Sequence, residues 1–298
     1  MVHPPQRTSL RTSLSGPALV RLLARLGETE VQASPQPLAD RLSQWLGWTD
    51  AIALSTVLSA PAPAVAGGAP ANGDDEAQRC LSLRSTLSKA IALDGVLAPA
   101  KARRGGAYGH AHARASQQPA PPAQAPETDA DYAVFRQCYL ALQQKMETDI
   151  GDLRGRLRSR LAAVSPAMAK LATLDAAMER SLAARERSLL GAVPGLLGAH
   201  FERLRKAARE AAAREAAARE AQPAADDATG AESAERTQQA EDVATSGATA
   251  TVQASPIGTA ASLAWLDAFR KDVQSVLLAE LDVRFQPVEG LLAALRAR

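Results

Sequence analysis

The sequence predicts an all-α protein: an N-terminal module of short helices, then a long-helix antiparallel bundle or coiled coil, with disordered linkers between. Three observations carry that expectation. The chain of 298 residues is 46% hydrophobic, yet only 3% aromatic, and alanine supplies much of the apolar count. Alanine, leucine, arginine and glutamate favour helices, whereas the strand formers tyrosine, phenylalanine and isoleucine are scarce. Second, Tyr132, Phe135, Tyr139, Leu142, Met146, Ile150, Leu153, Leu157, Leu161 and Val164 recur in steps of three and four, the period of one helix face. Third, "KAAREAAAREAAAREA" places Glu210 four residues before Arg214 and Glu215 four before Arg219, the favourable order for ion pairs on a helix without leucine.

From the N-terminus, residues 15–98 read as the short-helix module, flexible over 59–73. "SGPALVRLLARLG" gives a first helix: Ser15 or Gly16 as cap, Pro17 at the first helical position, Gly27 at the end, and Leu19, Leu22, Leu23 and Leu26 on one face. A second helix begins near Pro37, with Leu38, Leu42, Trp45 and Leu46 on its apolar side. In "QWLGWTD", a left-handed Gly47 would end that helix and fold Trp48 back onto Leu42. Thr49 or Asp50 would then cap a short third helix carrying Ile52, Leu54, Val57 and Leu58. The spacing favours a packed corner. The other reading is a partner-docking surface made by Trp45, Trp48 and Leu42, because tryptophan anchors are enriched in interfaces. A fourth helix over 75–97 puts Cys80, Leu83, Leu87, Ala90 and Ile91 on one side.

Residues 99–130 read as a disordered linker, basic from Lys101 to Arg114 and then proline-rich. Asp131 opens the long helix, and Ser165–Pro166 stops it and restarts the next, which carries Leu171, Leu174, Met178, Leu182, Leu189 and Val193 up to a break at Pro194–Gly195. A helix with Leu197, Phe201 and Leu204 runs on into the alanine-rich spacer. Residues 131–221 are thus a long helical hairpin ending in that spacer. Residues 222–258 read as an acidic disordered linker, with Asp226, Asp227, Glu232, Glu235, Glu241 and Asp242 against Arg236. The last segment, 259–298, has a stripe from Leu266 through Phe269, Val273, Leu277 and Leu281 to Phe285, a kink or restart at Gln286–Pro287, and Leu291, Leu292 and Leu295 beyond. So much leucine and phenylalanine should fold back and pack on the hairpin.

Function is less legible than architecture. The net charge of +2 gives no global pull toward nucleic acid or membrane. Two isolated cysteines, Cys80 and Cys138, make no disulfide framework and suggest a reducing compartment. The longest uncharged stretch, 51–73, contains Pro61, Pro63 and Pro70 and does not suit a transmembrane helix. The first 27 residues carry arginines and no acid, as a transit peptide would, but also make a capped helix. A cytoplasmic location is the expectation.

No phosphate-binding, dinucleotide, HExxH or CxxC motif is present. No catalytic residue, metal site or cofactor is assigned. His110 and His112 lack further ligands nearby, and His200 reads as a helix-surface histidine. Arg154, Arg156, Arg158 and Arg160 are candidate phosphate contacts, with the first and third on one side of the leucine stripe. Acids on the same hairpin, Asp152, Asp175, Glu179 and Glu186, dilute that field and argue against nucleic acid.

Four stretches, "SGPALVRLLARL", "ADRLSQWLGWTDAIALS", "RERSLLGAVPGLLGAHFERLR" and "AWLDAFRKDVQSVLLAELDVRFQPVEGLLAAL", together resemble an uncharacterised proteobacterial family, a domain of unknown function. The resemblance implies a bacterial cytoplasmic protein, often encoded beside OmpA/MotB-like and other envelope-associated proteins, and brings no catalytic residue. The reading that follows is a non-enzymatic helical scaffold or adaptor meeting a protein partner or a second copy through its stripes; the gene neighbourhood of the family it resembles implies an accessory role at an envelope-associated complex. A nucleic-acid-binding protein using the basic linker and the arginine-rich helix is the alternative.

Overall fold

A computed structural model describes residues 17–29, 36–62, 73–98, 131–220 and 256–297. The described residues form helices and turns, with no strand among them. The helices are α1 (Ala18–Leu26), α2 (Leu38–Trp45), α3 (Trp48–Ser59), α4 (Gly73–Ala92), α5 (Tyr132–Ala162), α6 (Pro166–Gly191), α7 (Val193–Glu220) and α8 (Pro256–Arg296). The basic stretch from Lys101 to Arg114, His110 and His112 lie outside the described residues, as does the acidic stretch up to 255.

The long helices start where local chemistry places them. The Asp131 side chain accepts a hydrogen bond from the Ala133 N–H, and Ser165 Oγ accepts one from the Met168 N–H, with Pro166 next in line. The chain reverses there, and α5 and α6 pack side by side. α6 gives way to α7 at Ala192, so Pro194 sits in the first turn of α7 instead of marking the break.

The C-terminal helix is the axis of the molecule. α8 packs against α1, α4, α5 and α7. Its burial is wider than the single stripe expected: Val276 and Ala279 lie buried beside Leu266, Phe269, Val273, Leu277, Leu281 and Phe285. It begins at Pro256, inside the span read as linker, and continues as one helix through Pro287, so the chain does not restart there. Facing it, α5 buries Phe135, Tyr139, Met146, Ile150, Leu153, Leu157 and Leu161. At one end of this core, Phe201 and Phe269 lie 5.0 Å apart, Phe135 and Phe269 5.2 Å, and Phe201 and Trp265 5.2 Å, edge to face or tilted, the geometry aromatic quadrupoles prefer. Tyr132 joins them and donates to the Pro194 carbonyl. Gly198 makes room for that ring, since a Cβ there would stand 2.9 Å from Tyr132 Cε1.

The short helices do not gather into a module of their own. α1 packs on α7 and α8, α4 on α8 and α5, and α3 on α6. α1 is capped by Pro17; Gly27 remains right-handed, and Glu28 takes the positive φ of 52°. α4 ends at Ala92, short of the expected 97, and Asp94 turns the chain by accepting from the Val96 N–H, so that Leu97 is still buried.

Two expectations fail. Leu171, Leu174, Met178, Leu182 and Leu189 are not buried in the bundle; Ala169, Ala172, Ala177 and Leu190 are the buried residues of α6. Alanine lets α6 lie close to its neighbours; Leu174, Met178 and Leu182 are half-buried, and Leu171 and Leu189 are exposed. Nor does Trp48 fold back onto Leu42. Gly47 is extended (φ −72°, ψ 169°), not left-handed, and it caps α3. Its N–H donates to Asp50 Oδ2 at 3.0 Å, so Asp50 serves from the third helical position and not as the cap itself.

Candidate docking site

Several titratable residues of the body are held by one another. On α5, arginines four apart project the same way, and the four candidates divide accordingly. Arg154 donates to both oxygens of Asp175 (2.9 and 2.6 Å) and to Glu179 (3.2 Å); Arg158 donates to Asp175 (2.7 Å) and Glu179 (2.5 Å). Arg156 makes a forked contact with Glu76 of α4 (2.9 and 3.0 Å), and Arg160 lies 3.3 Å from the same carboxylate. Glu76 is 2% exposed. The hydrogen bond from Arg156 holds its carboxyl below the ordinary range, against the upward push of burial. Burial likewise pushes Asp175 up, but the hydrogen bonds and charges of Arg154 and Arg158 outweigh it and keep it low. The phosphate-contact candidates are therefore engaged as clamps joining α5 to α6 and α4.

A second cluster sits deeper. Glu280 is fully buried and accepts from Tyr139 Oη (2.5 Å), Gln143 Nε2 (2.9 Å) and Arg284 Nε (2.9 Å). Burial and the adjacent Glu280 charge push the Tyr139 phenol far up. His200 is not a surface histidine: Nε2 lies 2.9 Å from Asp272 Oδ2 and the side chain is 12% exposed. The Cys138 thiol bonds Asp94 Oδ1 at 3.1 Å, and burial with that carboxylate pushes it up to about 12, a value at which it is no nucleophile near neutral pH. A cleft of about 540 Å³ lies over the Glu76 clamp, lined also by Asp75, Gln78, Arg79 and Ser82. It pairs no nucleophile with a base. Among the described residues no group of histidine, cysteine and carboxylate could hold a metal, and no helix is long and apolar enough to cross a membrane.

The arm formed by α2 and α3 is different in kind. α3 has one charged residue, Asp50, and seven apolar residues beside the hydroxyls of Thr49, Ser55, Thr56 and Ser59. Yet α3 has no buried residue. Asp50, Leu54 and Val57 are half-buried and mark the side that lies on α6. On the open side Trp48 is 82% exposed, Ile52 50% and Leu58 57%. The arm is fixed at both ends. Trp45 is half-buried under two guanidiniums, Arg41 at 5.6 Å and Arg185 of α6 at 5.7 Å. Lys170 of α6 donates to the Leu58 carbonyl at 2.7 Å. Of the three residues read as a docking surface, Trp48 is thus open, whereas Trp45 and Leu42 are half-buried. Sequence reasoning put Ile52 and Leu58 in the short third helix with Leu54 and Val57, and the charge-poor composition of α3 was the signal that large apolar groups stand on its outer side too.

Fold and site together define an all-α bundle protein that carries an exposed apolar helical arm. The chain matches, over residues 5–297, the family model described as a protein of unknown function, DUF3348, and belongs to that family. The match takes in arm and body alike. No curated protein and no solved structure matches the chain.

Proposed function

We propose that this chain is a non-enzymatic helical adaptor whose α2–α3 arm docks a protein partner, with the bundle as its rigid mount. The observation that carries the reading is the 82% exposure of Trp48, with Ile52 and Leu58 of the same helix 50% and 57% exposed. Exposed apolar surface costs free energy unless something covers it, and aromatic anchors dominate docking energetics. The saturation of Glu76, Asp175, Glu179 and Glu280 by arginine, tyrosine and glutamine favours a structural role for these groups over catalysis. It also weakens the nucleic-acid alternative, since phosphate would have to displace carboxylates from Arg154, Arg156, Arg158 and Arg160.

A photo-crosslinking amino acid at position 52 of the full chain, in its native cell, tests the reading. A discrete adduct should form and should vanish in the Trp48→Ala background while the melting temperature stays the same. No adduct, or one indifferent to Trp48, would refute it.

A further inference from the structure

The two sides of α6 are covered in different ways. Its inner side belongs to the bundle: Ala169, Ala172, Ala177 and Leu190 are buried, and Arg154 and Arg158 of α5 clamp Asp175 and Glu179. Another side is marked by Lys170 and Arg185, which touch the arm at its two ends. Leu174, Met178 and Leu182 follow one another at four-residue steps between them, and helical spacing puts them on that same side. All three are half-buried, yet they stand outside the buried core. The helix that lies over them is α3. Leu171 and Leu189 continue the row past the ends of the arm, where they are exposed.

This cover is held by little. No residue of 36–60 whose side chain is described is buried. The contact with α6 consists of half-buried Asp50, Leu54 and Val57, and of the two end ties. One tie is the exposed Arg185 guanidinium on the Trp45 indole, and the other is the single hydrogen bond from Lys170 to the Leu58 carbonyl. α2 and α3 have 8 and 12 residues, at or below the roughly 12–15 at which an isolated helix is marginal in water. Away from α6 they therefore unravel and do not swing aside as a rigid piece. α6 itself has 26 residues and keeps its buried alanines and its clamps, so it stays formed without the arm.

We propose that the α2–α3 arm is a releasable strap: it lets go of α6 and unravels as one unit while the bundle stays folded. Local openings are drawn from the least buried parts of a fold, and the arm is such a part. Leu54 and Val57 sit on the same short helix as the Leu58 tie, so the contact and the tie are lost together. Release joins Leu174, Met178 and Leu182 to the exposed Leu171 and Leu189 in one apolar row, about 27 Å long at 1.5 Å per residue. The strap thus controls whether that row meets water. The proposal concerns the inner side of the arm and needs no partner, so it stands or falls independently of the docking reading.

Amide hydrogen exchange of the full chain, read by mass spectrometry, tests it. Amides of α2 and α3 should exchange roughly a hundredfold faster than those buried in the middle of α5. Leu54→Ala, which trims the inner side of the strap, should speed exchange across both α2 and α3 about tenfold and leave α5 unchanged. A second readout places a thiol under the strap by Met178→Cys. Iodoacetamide should alkylate it during the openings, as seen in the peptide carrying residue 178, and adding Leu54→Ala should raise that rate about tenfold. Arm amides that exchange as slowly as those of α5, or a Leu54→Ala effect that reaches α5, would overturn the proposal by making the arm part of the cooperative body. Faster exchange confined to the turn around residue 54, or alkylation at 178 indifferent to Leu54→Ala, would overturn it by showing that no unit opens.

Discussion

α1 and α3 are both short and leucine-bearing, but they meet opposite fates. α1, with 9 residues, buries Leu19, Ala24 and Leu26 against α7 and α8. Arg203 of α7 donates to its Leu26 carbonyl, and Arg25 reaches Asp272 at 3.8 Å. α3, with 12 residues, buries nothing and rests on α6 alone by half-buried side chains. The difference lies in patterning. α1 alternates apolar and charged faces, so one docking event satisfies it. α3 has large apolar groups on its outer side as well as its inner one, so packing one side on α6 leaves Trp48, Ile52 and Leu58 in water. A helix can therefore be apolar for a reason other than the core of its own chain.

Substitutions in the two regions should separate by size. The heaviest loss is expected within the body, from Glu280→Ala. It leaves Arg284, which is 8% exposed, with only the longer contact to Glu186 at 3.4 Å, and strands the buried Tyr139 hydroxyl. Breaking a buried pair on one side costs about 3–5 kcal/mol, measurable by urea denaturation; Glu280→Gln, which keeps an acceptor, should cost less. Leu26→Ala in α1 should cost about 2–4 kcal/mol as a buried truncation, while Ile52→Ala on α3 should stay within about 0.5 kcal/mol of the parent. Comparable losses at the two positions would erase the distinction between the helices. Acid should act on the body as well. The Glu76 and Asp175 carboxyls sit below their free values of 4.5 and 3.8. Their ion pairs thus stabilise fully above those values, and the contribution is lost as pH falls through the lowered ones. Glu76→Gln and Asp175→Asn should each remove part of the acid-induced loss and leave the arm's contribution untouched.

Where the sequence was legible, local chemistry decided the outcome. Asp131, Ser165–Pro166 and the Tyr132–Val164 stripe specify α5 and its junction with α6 from neighbouring residues alone. Where it was not, the answer lay across the chain. Glu76 is buried because Arg156, eighty positions away, meets it, and Glu280 because Tyr139 and Gln143 do. On α6 the period was correct and the face was wrong: with alanine spread around the helix, the leucine side and the alanine side both qualify, and the buried positions went to Ala169, Ala172 and Ala177. The "WLGWTD" corner turned on one backbone choice. Glycine after a helix suits a left-handed end as well as an extended cap. Asp50, three residues on and able to accept the Gly47 N–H, is the feature that decides for the cap.

The sharpest discrimination between a packed corner and an open arm is the unfolding free energy of Trp48→Ala, measured by chemical denaturation of the full chain. With its indole 82% exposed, the substitution should change stability by less than about 0.5 kcal/mol, as at an ordinary surface site. A loss of about 3 kcal/mol, the cost of deleting a buried aromatic side chain, would contradict it and return Trp48 to the core.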